Sequence, residues 1–207
     1  YLRGIRTKEG SPFRVRSSLL GDIINSTVVF SGAPSKGHTG TGYAAFTTSY
    51  GSRTHAVFAG ANDGMLHAFN ATNGEELFGY IPSWVVPRLP ALADPAYTNA
   101  HQNYVDAPIA VDEAQVATSG SATDWKTVLV AGTGGGGHGV FALDVSDPAT
   151  FNAGKVMWEF KRSDDAAIGQ VIGQPRILKF KTSGSAATAT YRWFAVVASG
   201  VNNYVSD

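Results

Sequence analysis

Short apolar runs joined by tight polar turns form the most regular pattern in the chain. Within residues 56–80, apolar runs are separated first by Asp63-Gly64 and then by Asn73-Gly74. These pairs are strong hairpin signals, because a type I′ turn needs positive φ at both central residues and these residues tolerate it. The pattern therefore predicts three antiparallel strands joined by two type I′ turns.

The same arrangement recurs further along the chain. A strand at 127–132 is followed by a glycine run, 134–137, which replaces the Asp-Gly pair. Apolar strands then follow at 140–144 and 156–160, and a third unit opens at 193–200. Such internal repetition is typical of folds that stack one supersecondary unit several times.

An additional apolar strand precedes each unit, at 23–30, 105–111 and 172–178. Four strands in each repeated unit is the pattern of a β-propeller. We therefore predict an all-β fold, a partial β-propeller of four-stranded antiparallel blades with about two and a half blades present. The chain 1–207 would then be one incomplete domain, with approximate blades at 20–80, 103–161 and 168–207, the third truncated.

Long segments interrupt the blades and make them longer than the roughly 40–45 residues of a WD40 blade. One of them is rich in proline and can hold at most a short helical turn around 83–86, which Pro87 should end. Little helix is expected elsewhere. These segments, called insertions below, are 33–52, 81–103, 117–125 and 182–190.

A propeller is stable because its sheets pack around a ring that closes on itself. Two and a half blades cannot close a ring, and an open face would expose apolar surface at a cost of about 25 cal/mol per Å². We therefore expect the sequence to be part of a longer chain. The remaining blades, or another chain, would be needed to close the ring.

The composition narrows the range of partners. The chain has 16 Lys plus Arg and 16 Asp plus Glu, so it has no basic excess for binding nucleic acid. It has no cysteine, which excludes disulfides, thiolate metal sites and a cysteine nucleophile. No apolar run approaches the roughly 20 residues that span a bilayer. We therefore expect neither nucleic acid nor a membrane span.

The residues that invite a catalytic or metal-binding role have simpler explanations. Asp63 precedes a glycine and Asp147 a proline, so both fit turns. Asp144, Asp147 and Asp165 lack the alternating ligands of a calcium loop. His67 is expected to face solvent or a groove between blades, while Phe78 and Trp158 end equivalent strands and should pack between blades.

The glycine run 132–139 does not match a phosphate loop, because a strand rather than a helix follows it, and a flexible hairpin loop is predicted. Ser17 and Ser18 lack the surroundings of a hydrolase nucleophile. The histidines have no metal-ligand spacing. We assign no catalytic, cofactor-binding or metal-binding residue and predict that the chain is not an enzyme. The five histidines are His38, His55, His67, His101 and His138.

An ordered series of motifs, from residue 1 to about 203, resembles the Neisseria PilC/PilY family of type IV pilus biogenesis proteins and tip-associated adhesins, which carry a C-terminal β-propeller. Its strongest part is 59–71, which reads Ala-Gly-Ala-Asn-Asp-Gly-Met-Leu-His-Ala-Phe-Asn-Ala, followed by 74–78 and 80–82. A lone Asp-Gly hairpin would be weak evidence, whereas the ordered series is specific. Further matching motifs lie at 13–18, 20–23, 89–92, 104–106, 125–130, 139–145 and 147–148.

The resemblance implies a non-enzymatic module of type IV pilus biogenesis and adhesion. It implies export to the outer membrane, the cell surface or the pilus tip of a Gram-negative bacterium. There the module would support pilus extension and attachment, with minor pilins and host or abiotic surfaces as partners. Family members often carry a calcium loop, which would lie beyond Asp207, so no cofactor is expected within this chain.

Two other functions stay open at this point. The blade pattern also resembles quinoprotein dehydrogenases that hold pyrroloquinoline quinone, although their usual vicinal cysteines are absent here. A periplasmic scaffold propeller is the other alternative. In each case specificity should lie on the long loops. We hypothesise that 33–52 and 81–103 contact the ligand, and that a Gly-Ser turn in place of either reduces attachment without unfolding the propeller.

Overall fold

The computed structural model describes residues 1–185 and 188–204, and they form an all-β fold of antiparallel sheets, as the sequence predicts. Residues 186–187 of the predicted insertion 182–190, and 205–207 at the end of the predicted third blade, lie outside the described residues. The first blade contains β1 (Val29–Ser31), β2 (Ala56–Gly60), β3 (Leu66–Asn70) and β4 (Glu76–Tyr80), paired in that order. The second blade contains β5 (Ile109–Gln115), β6 (Trp125–Gly132), β7 (Gly139–Asp144) and β8 (Val156–Lys161), and the third sheet pairs β9 (Arg176–Ser183) with β10 (Thr190–Val196).

The tight turns of the first blade are not the predicted type I′ turns. Gly64 and Gly74 have positive φ values of 99° and 77°, but the residue before each does not. The N–H of Ala61 donates to the carbonyl of Met65 over 2.9 Å, so three residues separate the paired ends of the first hairpin. Loops of this length combine a type I turn with one left-handed residue, and glycine occupies that position without a Cβ penalty.

The first strands of the second blade and of the third sheet begin later than predicted. We expected strands over 105–111 and 172–178, whereas β5 and β9 start directly after Pro108 and Pro175. A proline has no N–H to donate to a strand ladder. Continuous pairing therefore begins only at the residue that follows each proline.

The predicted strand 23–30 is also shorter, because its first part is held by isolated bonds instead of a ladder. The hydroxyl of Ser26 accepts the N–H of Gly60 over 2.8 Å. The buried carboxylate of Asp106 accepts the backbone and side-chain N–H groups of Asn25 over 2.8 and 2.7 Å. These bonds tie the segment across both blades, and strand pairing starts only at β1.

The main hydrophobic core lies between the facing sides of the first and second blades. Phe58 and Leu66 from the first blade share a cluster with Leu129 and Phe141 from the second, and all four are fully buried. Burying a side chain of this size stabilises the fold by about 1.5–3 kcal/mol. The core therefore fixes the angle and spacing of the two blades.

Phe78 and Trp158, the aromatic residues that end equivalent strands of the two blades, differ in burial. Phe78 stacks on Phe151 with ring centroids 3.8 Å apart, so it packs between the first and second blades as predicted. Trp158 lies on the other side of the second blade and stays 37 % exposed. The equivalence of the two positions in sequence does not extend to their burial.

The third sheet covers the other side of the second blade. Val130 and Ala142 cluster there with Ile177, and Trp193 packs against them. The outward side of the third sheet remains exposed and apolar, at Leu178, Phe180, Phe194 and Val196.

The insertions contain more helix than expected. The insertion 33–52 holds α1 (Tyr43–Ser49). A turn is present at 83–85 as expected, but the predicted end at Pro87 is wrong, because Pro87 lies in the first turn of a 3-10 helix, Val86–Ala93. Proline suits the first turn of a helix, where its missing N–H has no intrahelical partner. Short 3-10 turns lie at Tyr97–Asn99, Ala122–Asp124, Gly134–Gly136, Pro148–Thr150 and Ala153–Lys155.

No helix in the described ranges is long and apolar enough to cross a membrane.

Candidate interaction surface

The two long insertions lie at opposite ends of the blades. β4 ends at Tyr80, which pairs with Leu66 next to the first hairpin turn, so 81–103 leaves the sheet at that end. The insertion 33–52 joins β1 to β2 and leaves from the other end, where Ser31 pairs with Ala56. We call the surface formed by 81–103 and the 133–138 turn the proline face.

The insertion 81–103 carries a small hydrophobic core of its own. Its 3-10 helix turns one side inward, and the side chains there are almost fully buried. The insertion is therefore a packed layer on the propeller and not a free loop. The buried cluster consists of Val85, Leu89, Leu92, Tyr97 and Tyr104.

Polar bonds fasten this layer to the second blade. The carboxylate of Glu159 accepts the hydroxyl of Tyr80 over 2.6 Å and the N–H of Ser83 over 2.8 Å, and it also accepts the Ser83 hydroxyl. Burial alone would raise the pKa of Glu159, but the bonds from Ser83 and Tyr80 outweigh it and lower the pKa below its usual value. Burial and Glu159 together raise the pKa of Tyr80. Glu159 is thus a charged anchor between the blades.

The glycine run was predicted to be a flexible loop, but it is a closely packed turn. A Cβ on Gly136 would overlap the carbonyl oxygen of Tyr104, and one on Gly137 would come within 2.8 Å of the Trp84 ring. The indole N–H of Trp84 donates to the Thr133 hydroxyl over 3.0 Å. Glycine is needed here because the proline-rich layer sits directly on the turn.

At the opposite end, Glu113 anchors the insertion 33–52. Its buried carboxylate accepts the N–H groups of Ser35 and Lys36 over 2.8 and 3.3 Å and the hydroxyl of Tyr43. Burial and the neighbouring Glu113 raise the pKa of the Tyr43 phenol. The aromatic ring of Trp125 packs against α1 in the same cluster. This insertion is also fixed to the second blade.

Arg53, which follows this insertion, joins the two blades at the same end. Its guanidinium donates to Ser31 Oγ over 3.0 Å in the first blade, and to Thr127 Oγ1 over 2.6 Å and the Ser146 carbonyl over 3.0 Å in the second. Burial lowers the pKa of Arg53, while the charge of Glu113 opposes that effect. Several bonds to neutral acceptors thus compensate for the removal of this charge from water.

His67 and Asp63 belong to one polar cluster on the outer side of the first blade. His67 is buried, with Nδ1 2.5 Å from Glu76 and Nε2 3.0 Å from Asp63. Of the two positions expected for it, exposure to solvent is therefore wrong, because two carboxylates compensate the buried ring, while a position in a groove between blades stays a prediction. Asp63 Oδ1 accepts the Met65 N–H over 3.2 Å, and its Oδ2 accepts the Gly21 N–H over 2.8 Å. The first of these bonds is the predicted turn role.

The other acidic candidates have structural partners. Asp144 pairs with Lys126 over 3.1 Å and Lys155 over 3.5 Å. Asp147 accepts the Thr150 hydroxyl over 2.9 Å, and Asp165 accepts the Ala167 N–H over 2.8 Å. In the part of the chain that the structure describes, no three His, Cys, Asp or Glu residues form a group that could hold a metal ion.

The remaining histidines have separate environments. His38 stacks on Trp125, and His55 meets Phe30 edge-on. His101 Nε2 lies 3.0 Å from Asp22, in a cleft that Ser17 and Ser18 also line, but neither serine hydroxyl hydrogen-bonds to the ring among the described residues. His138 Nδ1 lies 2.9 Å from an Arg162 nitrogen.

The structure also brings together residues that the sequence did not single out. Arg88, Lys161 and Arg162 line one cleft beside the glycine turn on the proline face. They come from an insertion and from the end of β8, and no motif spacing connects them. Only the docking of 81–103 on the second blade places these charges together.

Comparison with protein families gives a match to the PilY1 beta-propeller domain over residues 20–204. A type IV pilus biogenesis factor PilY1 homolog of Xylella fastidiosa is 36% identical over 213 residues, which covers 98% of this chain and 16% of that protein. The type IV pilus biogenesis factor PilY1 of Pseudomonas aeruginosa strain PAK is 37% identical over 214 residues, covering 98% of this chain and 17% of that protein.

Among solved structures, the crystal structure of the Pseudomonas aeruginosa PilY1 C-terminal domain superposes with a TM-score of 0.55 at 31% identity. The match covers 77% of this chain and 27% of that one. The chain thus spans about a sixth of the length of the curated relatives, at 16% and 17%. These matches favour the pilus interpretation over the quinoprotein and scaffold alternatives.

Proposed function

The chain belongs to the PilY1 β-propeller family, and on that basis we propose that it is the propeller part of a type IV pilus biogenesis factor. The supporting observation is the family match over 20–204, together with relatives named as PilY1 biogenesis factors that align over 98% of the chain. The protein would act without catalysis, by holding partners.

The finer proposal is that the protein also mediates attachment from an exported position at the outer membrane, the cell surface or the pilus tip. Minor pilins would be its pilus partners, and host or abiotic surfaces its targets. Support comes from the two insertions, which present exposed residues such as Val86 and Ala45 on anchored layers. Interaction loops on a rigid scaffold lose little entropy on binding.

The biogenesis role is tested in the bacterium that produces the protein. An in-frame deletion of 20–204 from the full-length gene should reduce surface pilin, measured after shearing, to the level of a complete gene deletion. The abundance of the shortened protein is measured in parallel. Wild-type pilin levels with the shortened protein present would rule out a role for the propeller in assembly.

The attachment role needs finer variants than the loop swap hypothesised from the sequence. Replacing 81–103 by a Gly-Ser turn would delete its buried cluster and so confuse folding with binding. Val86→Asp on that insertion and Ala45→Asp on 33–52 alter exposed positions only. Attachment per pilus should fall in at least one variant while pilus number is unchanged. Normal attachment in both would contradict the assignment of these insertions.

A further inference from the structure

A cleft of about 500 Å³ opens on the proline face between the insertion 81–103 and the end of β8. Its floor is the glycine turn, and its walls carry Trp84 and the three cations Arg88, Lys161 and Arg162. Ligand sites in proteins commonly have volumes of about 300–1,000 Å³. The cleft is thus large enough for one or two sugar rings.

The described residues that line this cleft carry positive charge. None of the described residues that line it is acidic. The guanidinium of Arg88 donates to the Gly136 carbonyl and, over 3.2 Å, to Gln102 Oε1, both of which are neutral. Arg162 Nη1 lies 2.9 Å from His138 Nδ1, and the carboxylates of Asp164 and Asp165, which follow in sequence, accept backbone N–H groups.

Lys161 differs from the two arginines because a carboxylate lies close to its ammonium group. Its Nζ is 3.6 Å from Glu159 and donates to the Ser83 hydroxyl over 2.7 Å. Glu159 is itself occupied by the hydroxyl of Tyr80 and by Ser83. Among the described residues neither guanidinium forms an ion pair, so both charges are available to a ligand. A guanidinium offers paired N–H donors that match a planar or tetrahedral oxyanion.

The uncharged part of the lining limits the shape of the ligand. Gly135, Gly136 and Gly137 carry no side chain, so a ligand can approach the backbone closely. The indole of Trp84 is held in place by its bond to Thr133 and offers an apolar surface beside the charges. An aromatic surface next to oxyanion donors is suited to a ring that is apolar on one face and charged at its edge.

We propose that this cleft binds an acidic saccharide through its carboxylate or sulfate group. The guanidiniums of Arg88 and Arg162 bind the oxyanion, and Trp84 packs against the sugar ring. An acidic peptide would offer the same carboxylate, but the floor of the cleft is a 3-10 turn, Gly134–Gly136, which gives a peptide backbone no strand to pair with. The biological meaning of the site rests on the proposed attachment role, while the binding itself does not.

The test uses the purified full-length protein and isothermal titration with four probes. These are a heparin hexasaccharide, an oligogalacturonate, a neutral maltohexaose and a poly-glutamate peptide. We expect the sulfated or the carboxylated saccharide to bind, with affinity that falls as salt rises, and the neutral sugar not to bind. The comparison of the two acidic saccharides identifies which oxyanion the site prefers.

Arg162→Gln should weaken binding of the acidic saccharide by about tenfold, because a charge-assisted bond is lost. Arg88→Gln should act in the same direction, with circular dichroism as a check on folding, since Arg88 also contacts the turn. Arg6→Gln is the control, because it removes the same charge from a residue outside the cleft.

The proposal is overturned by equal affinity in wild type and Arg162→Gln, by tighter binding of the peptide, or by binding of neither acidic saccharide. Surface pilin is measured in the same Arg162→Gln strain. Normal pilin with lost saccharide binding supports the cleft as a separate attachment site. A failed titration together with pilin loss on deletion of 20–204 overturns the cleft and leaves the biogenesis role standing.

Discussion

At the residue scale, two carboxylates hold the insertions in place. Glu113 and Glu159 each accept several bonds from an insertion that is far away in sequence, and each fixes it to the second blade. Removing a carboxylate of this kind leaves several donors without partners, which costs more than the bonds themselves contribute. Stability and surface shape therefore depend on the same few residues.

Glu113→Ala should lower the free energy of unfolding by about 2–4 kcal/mol and loosen 33–52, because the buried Tyr43 hydroxyl and the N–H groups of Ser35 and Lys36 lose their acceptor. Urea denaturation measures the stability, and limited proteolysis within 33–52 measures the loosening. Asp112→Ala is the matched control, since Asp112 forms a partly exposed, 3.7 Å ion pair with Lys36 and otherwise accepts one local N–H, that of Glu113, among the described residues. Similar losses in both variants would contradict the anchoring role of Glu113.

His67 should make stability depend on pH. Burial lowers its pKa, but the bonds to Asp63 and Glu76 outweigh burial and raise the pKa above its ordinary value of 6.5. The folded state therefore favours the protonated ring. Its contribution is fully present below pH 6.5 and is lost as the pH rises through the raised folded pKa.

The measurement is thermal unfolding over a pH series that starts below 6.5 and rises. His67→Gln should flatten the decline of stability that the wild type shows over this range. His55→Gln, whose ring meets Phe30 edge-on, is the control and should retain the decline. An unchanged pH profile for His67→Gln would exclude the ion pairs as its cause.

At the element scale, the glycine turn is shaped by the layer packed on it. Gly136→Ala should destabilise the protein by about 2–4 kcal/mol, because the new methyl group meets the Tyr104 backbone, which cannot move away independently. Gly173→Ala is the control, since a Cβ there has nothing within 4 Å. Thermal unfolding of both variants measures the difference, and equal melting temperatures would show that the turn is not closely packed.

The sequence predicts these elements where the signal is local. Asp63-Gly64 and the apolar runs beside it locate the first hairpin, because turn preference and strand preference agree there. The predicted turn type was wrong, because a type I′ turn also needs positive φ at Asp63. An Asp-Gly pair tolerates that conformation but does not require it. The prolines before β5 and β9 are a local signal that could have corrected the strand starts.

The rest depends on contacts between distant segments. The 3-10 helix at Val86–Ala93 buries one side against Leu2 and Tyr104, which come from outside the insertion. Glu113 bonds to Ser35 only after the blades pack, and only then do Arg88 and Arg162 line the same cleft. No periodicity in the sequence encodes these contacts between distant residues. Neither the anchoring role of Glu113 nor the cleft could therefore be derived from the sequence.

At the scale of the whole molecule, the outward side of the third sheet remains exposed and apolar. The outward side of the third sheet presents Phe180 and Phe194, which are 47% and 40% exposed, and Phe30 is an exposed aromatic residue on the outer side of the first blade, beside its polar cluster. Exposed apolar sheet faces of this kind favour association. The sequence-based expectation that further blades or another chain cover them stays a prediction.

The 207-residue chain expressed by itself should therefore self-associate in a concentration-dependent way. Phe180→Lys combined with Phe194→Lys should shift it toward the monomer, because the charges interrupt the apolar face. Ile5→Lys, at an exposed position outside that face, should have little effect. Sedimentation velocity distinguishes the cases, and an unchanged distribution for the double variant would show that this face does not drive association.

The bonds from 81–103 to the second blade also determine how the molecule responds to mechanical load. The bonds at Glu159 and Thr133 act in parallel with the hydrophobic core between the two blades. A force that slides the blades past each other strains all of them together, so they must rupture in one event, whereas peeling would break them in turn. We therefore expect the first and second blades to withstand shear as a single unit.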